Sequence, residues 1–335
     1  MKAIALLSGG LDSTLAAKIV ADLGVPVTGV YFRTPFGARE KKAEQALLAL
    51  ARDLSRQAGI TLRVVDLGEE FLEQVVRKPA HGYGANVNAC IDCRIMMLRK
   101  AKAMMEEEGA GFLVTGEVVA QRAMSQHRKT MRTIDRDAGV EGIVLRPLSA
   151  KLLEETVAET RGWVDRGKLY GFSGRSRKPQ IDLAVMLGII DFPNAAGGCL
   201  LTDPRFSDRM KDLLSRGLLT MDNVALLKQG RHFRLSEEAK LVVGRNADEN
   251  GEIEALARDG DIIFQPPAEI GGPTALGRGA FTSVERELAA RIVCRYSDRG
   301  GRESLDIVWR VFPGVSSGTI TALPEPEAAL EGWRI

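Results

Sequence analysis

The sequence predicts a doubly wound parallel α/β sheet followed by a smaller α+β domain. Three observations lead there. Apolar strand-like runs alternate with helical patterns through the first half of the chain. The segment "LLSGGLDSTLAAK", residues 6–18, sets two glycines between a strand and a helix. Near residue 230 the character changes, and short strand-like pieces surround a single long helical pattern. A βαβα rhythm argues for parallel strands covered by helices on both faces.

The elements follow in order. Lys2–Leu7 reads as a strand, Asp12–Leu23 as a helix stopped by Gly24, and Val27–Phe32 as the next strand. In 39–58, Ala43, Ala46, Leu47, Leu50 and Leu54 recur at helical spacing before Gly59. Thr61–Val65, Phe112–Thr115 and Gly142–Leu145 read as strands, and Cys93–Glu107 as a helix. Beyond residue 150, Glu154–Asp165 and Gln180–Leu187 look helical. The last part offers strands at Lys240–Val243, Asp261–Phe264 and Leu305–Arg310 and a helix over Ser283–Tyr296. The segment "QPPAEIGGPTALGRGA" reads as a loop. The expected domains are 1–165, a helical and basic segment 166–224, and 225–335.

Composition bounds the function. The chain has 335 residues, 45% of them apolar, and a net charge of +2. That charge does not itself predict a nucleic-acid partner, so any such case rests on local clusters. The apolar stretch Ala3–Leu7 is too short for a signal peptide, and no run approaches the roughly 20 apolar residues of a membrane span. The expectation is a cytoplasmic protein with no membrane contact. Four cysteines there do not suggest a disulfide framework.

A glycine turn between a strand and a helix N-terminus is an anion site, because unpaired N–H groups and the helix dipole face outward. Gly9 and Gly10 let the backbone approach a phosphate closely, Ser8, Ser13 and Thr14 bring hydroxyls, and Asp12 can cap the helix or help hold Mg²⁺. The dinucleotide fingerprint and the lysine-containing phosphate loop are both absent. "SGGLDST" instead resembles the pyrophosphate loop of the N-type ATP pyrophosphatases, the PP-loop proteins of HUP-like fold. That resemblance implies ATP held by its pyrophosphate, transfer of AMP to a substrate oxygen, and displacement of AMP by a nucleophile.

Cys90 and Cys93 lie in "NACIDCR", and Cys199 in "NAAGGCLLTD", on a glycine turn. Cys294, in "ARIVCRY", reads as a core residue. For the other three, structural zinc, catalytic thiols, a 4Fe–4S cluster held by three thiolates, and an inert role all stay open. In the thiol reading, Cys93 at a helix start has a lowered pKa. A pyrophosphate loop with CxxC and a distant third Cys resembles the tRNA thiolation enzymes related to ThiI, MnmA and TtuA. "LVTGEVVAQRAMSQ", "VLRPLSAK", "GRSRKPQ" and "GGCLLTDP" carry the same likeness. "VVGRNADENGEIEALARDGD", residues 242–261, is similar to the NFACT-R RNA-binding module. Neither the THUMP domain nor the rhodanese-like cysteine loop of ThiI proteins is recognisable.

Ligands of open α/β sheets lie beyond the C-terminal ends of the strands. Tyr31 and Phe32 are therefore candidates for the adenine, and Thr115, Gly116, Gln121 and Arg122 for the phosphates or ribose. Arg146 and Lys151 are candidates for neutralising phosphate. His81, His127 and His232 share no metal-like spacing. Arg175, Arg177 and Lys178 offer an RNA-phosphate contact, with Arg231, Arg234 and Arg245 as a second candidate surface. The resulting expectation is an ATP-dependent RNA sulfurtransferase acting on a tRNA uridine. ATP, Mg²⁺ and a 4Fe–4S cluster are its cofactors. Tyr31, Phe32, Thr115, Gly116, Gln121, Arg122 and the loop bind ATP. Asp12, Cys90, Cys93 and Cys199 are its catalytic residues. Sulfur comes from sulfide or a persulfide made by a cysteine desulfurase. Two alternatives use the same loop: a ligase or amidotransferase adenylating a small carboxylate, and a non-catalytic ATP- and RNA-binding factor.

Overall fold

The computed structural model describes every residue except 38–40, 191, 193–198 and 315. Arg39, Gly197 and Gly198, which enter the expectations above, lie outside the described residues. The chain divides into two compact units, Met1–Asp203 and Pro204–Ile335.

In the first unit, β1 (Ala3–Leu7) leads into α1 (Leu11–Asp22), β2 (Val27–Arg33), α2 (Lys41–Gln57) and β3 (Thr61–Asp66). A short α3 (Gly68–Phe71) runs into a π-helical turn, and α4 spans Cys90–Glu107. Then come β4 (Phe112–Thr115), α5 (Arg128–Ala138), β5 (Val144–Leu145), α6 (Val157–Thr160) and α7 (Lys178–Met186). The strands form one sheet of order β3-β2-β1-β4-β5, with every pair parallel. All five residues of β1 are buried, as expected of a central strand covered on both faces. Leu11, Leu15, Ala16, Ile19 and Val20 of α1 are buried against that sheet with Phe112 and Val114. The order reverses at β1, so the crevice between the ends of β1 and β4 is the topological switch point, where such sheets hold ligands.

The doubly wound sheet is as the sequence predicts, with differences at its margins. Cys90 is the first residue of α4, so the CxxC pair occupies the first helical turn and does not precede it. The helix expected over Glu154–Asp165 shrinks to α6, held by a capping box between Thr156 and Glu159, plus a 3-10 turn at Arg166–Lys168. Gly162, at φ +67°, stands between them.

The second unit begins with α8 (Pro204–Ser215) and α9 (Met221–Leu227). It continues through β6 (Arg231–Arg234), β7 (Lys240–Val243), α10 (Ala247–Ala255), β8 (Ile262–Gln265) and β9 (Ala275–Arg278). Then α11 (Ser283–Arg295), β10 (Leu305–Val311), β11 (Ser316–Ala322) and α12 (Glu327–Leu330) complete it. Its six-stranded antiparallel sheet runs β11-β10-β8-β9-β7-β6. Alternation sorts the strands: Leu241, Val243, Ile262 and Phe264 pack with α11, while Val242, Ile263 and Leu276 pack with Leu226 and Ile253. Cys294 lies wholly buried in the α11 layer, where its thiol donates to the Ala322 carbonyl at 3.1 Å. Strand β9 falls inside the segment expected to be a loop; its Gly and Pro neighbours mask four buried strand residues.

Candidate active site

The glycine turn sits at the switch point. Gly9 has φ +73°, a left-handed conformation that favours glycine. Gly10 is the N-cap of α1 and makes no side-chain cap, so the first-turn N–H groups have no side-chain acceptor at the cap. Asp12 is therefore not the capping residue. Ser13 and Thr14 turn their hydroxyls inward: each donates to the Gly10 carbonyl, at 2.9 and 3.1 Å, and Ser13 Oγ accepts from the Ser8 amide at 3.1 Å. These bonds staple the turn, leaving the exposed Ser8 hydroxyl, 3.2 Å from Ser13 Oγ, at its mouth. A tightly closed turn with outward amides can receive a pyrophosphate.

The loop after β4 presses onto the same helix start. A Cβ on Gly116 would lie 2.4 Å from the Asp12 carbonyl carbon and the Ser13 nitrogen. Only glycine permits that approach. Gln121 then donates to Asp12 Oδ2 at 2.6 Å, and the buried Gln180 of α7 donates to Gln121 Oε1 at 2.8 Å. The other Asp12 oxygen, Oδ1, is buried with no hydrogen-bond partner among the described residues. A buried carboxylate oxygen without a partner is costly, and a hard divalent cation satisfies it. Gln180 and its link to Asp12 are not legible in the sequence, where "GRSRKPQ" offers a basic stretch and a family likeness but no sign of a partner 59 residues away.

Several expected contacts resolve differently. Tyr31 borders Gly9, and burial followed by the Glu44 carboxylate raises its pKa. Phe32 follows it in the same strand and so points to the opposite face, where it is buried. The two rings cannot flank one adenine. The Thr115 hydroxyl donates to Glu117 at 3.0 Å, deep in the unit. Arg122 is exposed with no ion pair among the described residues. Arg146 does not face phosphate: it is buried, bidentate to Asp135 at 2.7 and 2.8 Å and bonded to Glu117 at 2.9 Å. Burial opposes the charge of Glu117, but Arg94 at 3.1 Å and Arg146 outweigh it and lower its pKa. Lys151 is exposed and donates to the Gly167 carbonyl.

The three thiols converge from distant parts of the unit. Asn86 donates to the Thr202 carbonyl at 2.8 Å, and Leu200 to the Phe36 carbonyl at 3.0 Å, fixing the Cys199 segment beside the loop before α4. Asn88 donates to Cys90 Sγ at 3.4 Å and to Met124 Sδ at 3.1 Å. Burial pushes the Cys93 thiol up to about 12, and neighbouring Cys199 and Cys90 add to the rise against Arg94. Cys199 has an exposed surface, yet the protein packed around its sulfur, with Cys90, pushes it up to about 11. The lowered Cys93 pKa expected of a helix start is thus overturned: desolvation exceeds the helix dipole. Among the described residues no three His, Cys, Asp or Glu side chains stand together in metal-holding geometry.

Asp92, between the two cysteines, is structural: it accepts from the Ala80 and His81 amides at 2.9 and 3.2 Å. His81 bridges Asp92 and Asp137. Arg175 and Lys178 are exposed around the start of α7, and Arg177 is half-buried. In the second unit, however, Arg234 is bonded to Asp212 at 2.6 Å and Arg245 is paired with Glu249. Arg231 lies 4.4 Å over the Tyr296 ring. Arg231 and Arg234 are thus engaged within the unit, while Arg245 stays exposed beside Glu249.

A stapled glycine turn at the switch point of a parallel sheet, facing an unsatisfied carboxylate, defines a PP-loop nucleotide-binding domain. Comparison with known proteins agrees. Residues 1–160 match the family model of the thiamine biosynthesis protein ThiI, and residues 230–334 match that of the NFACT protein RNA binding domain. The first unit is thus similar to the ThiI model over residues 1–160, and the segment 230–334 to the NFACT RNA binding domain. A tRNA-specific 2-thiouridylase MnmA from Azorhizobium caulinodans is 34% identical over 136 residues, 38% of this chain and 35% of that protein. One from Xanthobacter autotrophicus is 30% identical over 161 residues, 46% and 41% of the two chains. The chain therefore spans well under half the length of these relatives. A 4-thiouridine synthetase solved with RNA and ATP shares 23% identity and a TM-score of 0.41, covering 68% of this chain and 52% of that one. Among the described residues no helix is long and apolar enough to cross a membrane.

Proposed function

We propose that this protein is a cytoplasmic, ATP-dependent sulfurtransferase that replaces a uridine carbonyl oxygen of tRNA with sulfur. The observation that carries the reading is the loop after β4. At Gln121 it holds Asp12 of the pyrophosphate turn, and three residues later Met124 meets Asn88, which donates to Cys90. A nucleotide site and a thiol group thus border one loop, as activation followed by sulfur delivery requires. The first-turn amides of α1 receive the pyrophosphate, and Asp12 Oδ1 takes the Mg²⁺ that neutralises it. The uracil oxygen attacks the α-phosphate and pyrophosphate leaves. A sulfur nucleophile then attacks the ring carbon, and AMP departs with the former carbonyl oxygen. The chain's part is positioning and charge stabilisation.

Cys90, Cys93 and Cys199 fit a 4Fe–4S cluster by donor chemistry, since three thiolates suit iron–sulfur ligation. Thiols raised to about 12 and about 11 stay protonated at neutral pH, so a cationic centre is what would make them thiolates. Such a cluster would supply an iron at which sulfide could be held; sulfur from a persulfide donor would first take two electrons from a reductant to reach that level. Arg175, Arg177 and Lys178, beside α7, and residues 230–334 contact the RNA. The test is anaerobic incubation with tRNA, ATP, Mg²⁺, sulfide and reductant, followed by nucleoside mass spectrometry. A thiolated uridine formed in step with pyrophosphate is expected; ATP consumption without any thiolated nucleoside overturns the reading.

A further inference from the structure

We infer that Gln180 is a positioning residue that acts through Gln121 to hold Asp12 for Mg²⁺, an inference that rests on the proposed use of Mg·ATP at the turn. The chain of contacts has a direction. The Asp12 carboxylate only accepts, so Gln121 must turn its Nε2 toward it, at 2.6 Å. That leaves Gln121 Oε1 facing α7, where Gln180 Nε2 donates to it at 2.8 Å. Gln180 Oε1 is then left at the end of the relay, buried and without a partner among the described residues.

Gln180 has no exposed surface and stands in the first turn of α7, which packs on α1. A residue kept only for packing would do better as an apolar side chain, which strands no buried acceptor. The amide instead fixes which end of Gln121 meets Asp12, so Oδ2 is held and Oδ1 is the oxygen left for the cation.

The experiment measures ATP binding to the full-length protein by calorimetry across a series of Mg²⁺ concentrations and without Mg²⁺. Gln180→Leu is expected to raise the Mg²⁺ concentration for half-maximal binding about tenfold, the order of losing support for one charge-assisted hydrogen bond. Its melting temperature should change little, because the stranded Gln180 acceptor is gone while the part-buried Gln121 Oε1 loses its donor. Gln180→Glu, which can only accept, should turn Gln121 the wrong way and be worse than Leu. Unchanged Mg²⁺ dependence in both variants overturns the relay. So does an equal loss of Mg²⁺-free ATP binding, which marks a merely structural role. If Gln180→Leu does not fold, Gln180→Glu compared with Gln121→Leu decides in the same way. A wild-type protein without Mg²⁺-dependent ATP binding overturns the functional reading itself, and the relay with it.

Discussion

Replacing Gly116 with alanine is the smallest change that tests whether the β4 loop and the pyrophosphate turn work as one unit. The new Cβ would meet the Asp12 carbonyl carbon and Ser13 nitrogen at 2.4 Å and the Asp12 oxygen at 2.5 Å. All three are backbone atoms, so no flexible side chain can swing aside. Ordinary contact begins near 3.4 Å, so the start of α1 and the end of β4 must part by about 1 Å. Overpacking of this kind costs about 1–3 kcal/mol. At about 2–4 °C per kcal/mol for a unit of this size, the melting temperature should fall by several degrees. The effect on chemistry should be larger. A misplacement of about 1 Å at a reacting site costs roughly 100-fold in rate. Pyrophosphate release with saturating tRNA and ATP reads the second effect, and thermal unfolding the first. A Gly116→Ala protein with wild-type turnover and an unchanged melting temperature would refute the reasoning.

Asp12→Asn should lose Mg²⁺-dependent pyrophosphate release by roughly 100-fold or more while melting normally, since it removes the charge offered to the cation; normal release would remove Asp12 from the site. Arg146→Ala should cost about 3–5 kcal/mol in denaturant unfolding, because Asp135 loses its bidentate partner and the buried Glu117 keeps only Arg94 and the Thr115 hydroxyl. The second unit should weaken in acid: Arg234 and Lys240 overcome the burial of Asp212 and lower its pKa to about 2. A depressed carboxylate contributes stability that is present above its unfolded value of 3.8 and lost as pH falls through 2. The loss should approach about 2 kcal/mol and be absent in Asp212→Asn. Lys240, pushed down to about 8 by burial, should instead let stability rise between pH 8 and 10.5. Protein purified without oxygen should carry about four irons per chain, lost in Cys90→Ala, Cys93→Ala or Cys199→Ala and kept in Cys294→Ala; stoichiometric zinc without iron would favour a structural metal.

The sequence by itself determined the parallel sheet, because strand and helix periods are local and the glycines at 9, 10, 24 and 59 punctuate them. It determined the anion-binding turn for the same reason: strand, glycine turn and helix start are contiguous. It also marked Cys294 as core, since it stands with Ile292 and Val293 in a helical pattern and a small thiol packs as an apolar side chain. What it could not determine was pairing at a distance. Arg146 looks like a phosphate ligand until Glu117 and Asp135 close on it, 29 and 11 residues away. Gln180 looks like part of a basic loop until it meets Gln121, 59 residues away, which meets Asp12 at a separation of 109. Tyr31 and Phe32 are adjacent in sequence and parted by the pleat. Strand β9 lay hidden among glycines and prolines because its partners, β7 and β8, supply the register that its own residues do not. The elevated thiols make the same point: the helix start is legible in sequence, but the burial that overrides it is created only when distant segments pack. Local chemistry fixes which groups are available, and tertiary packing fixes which of them remain free to act.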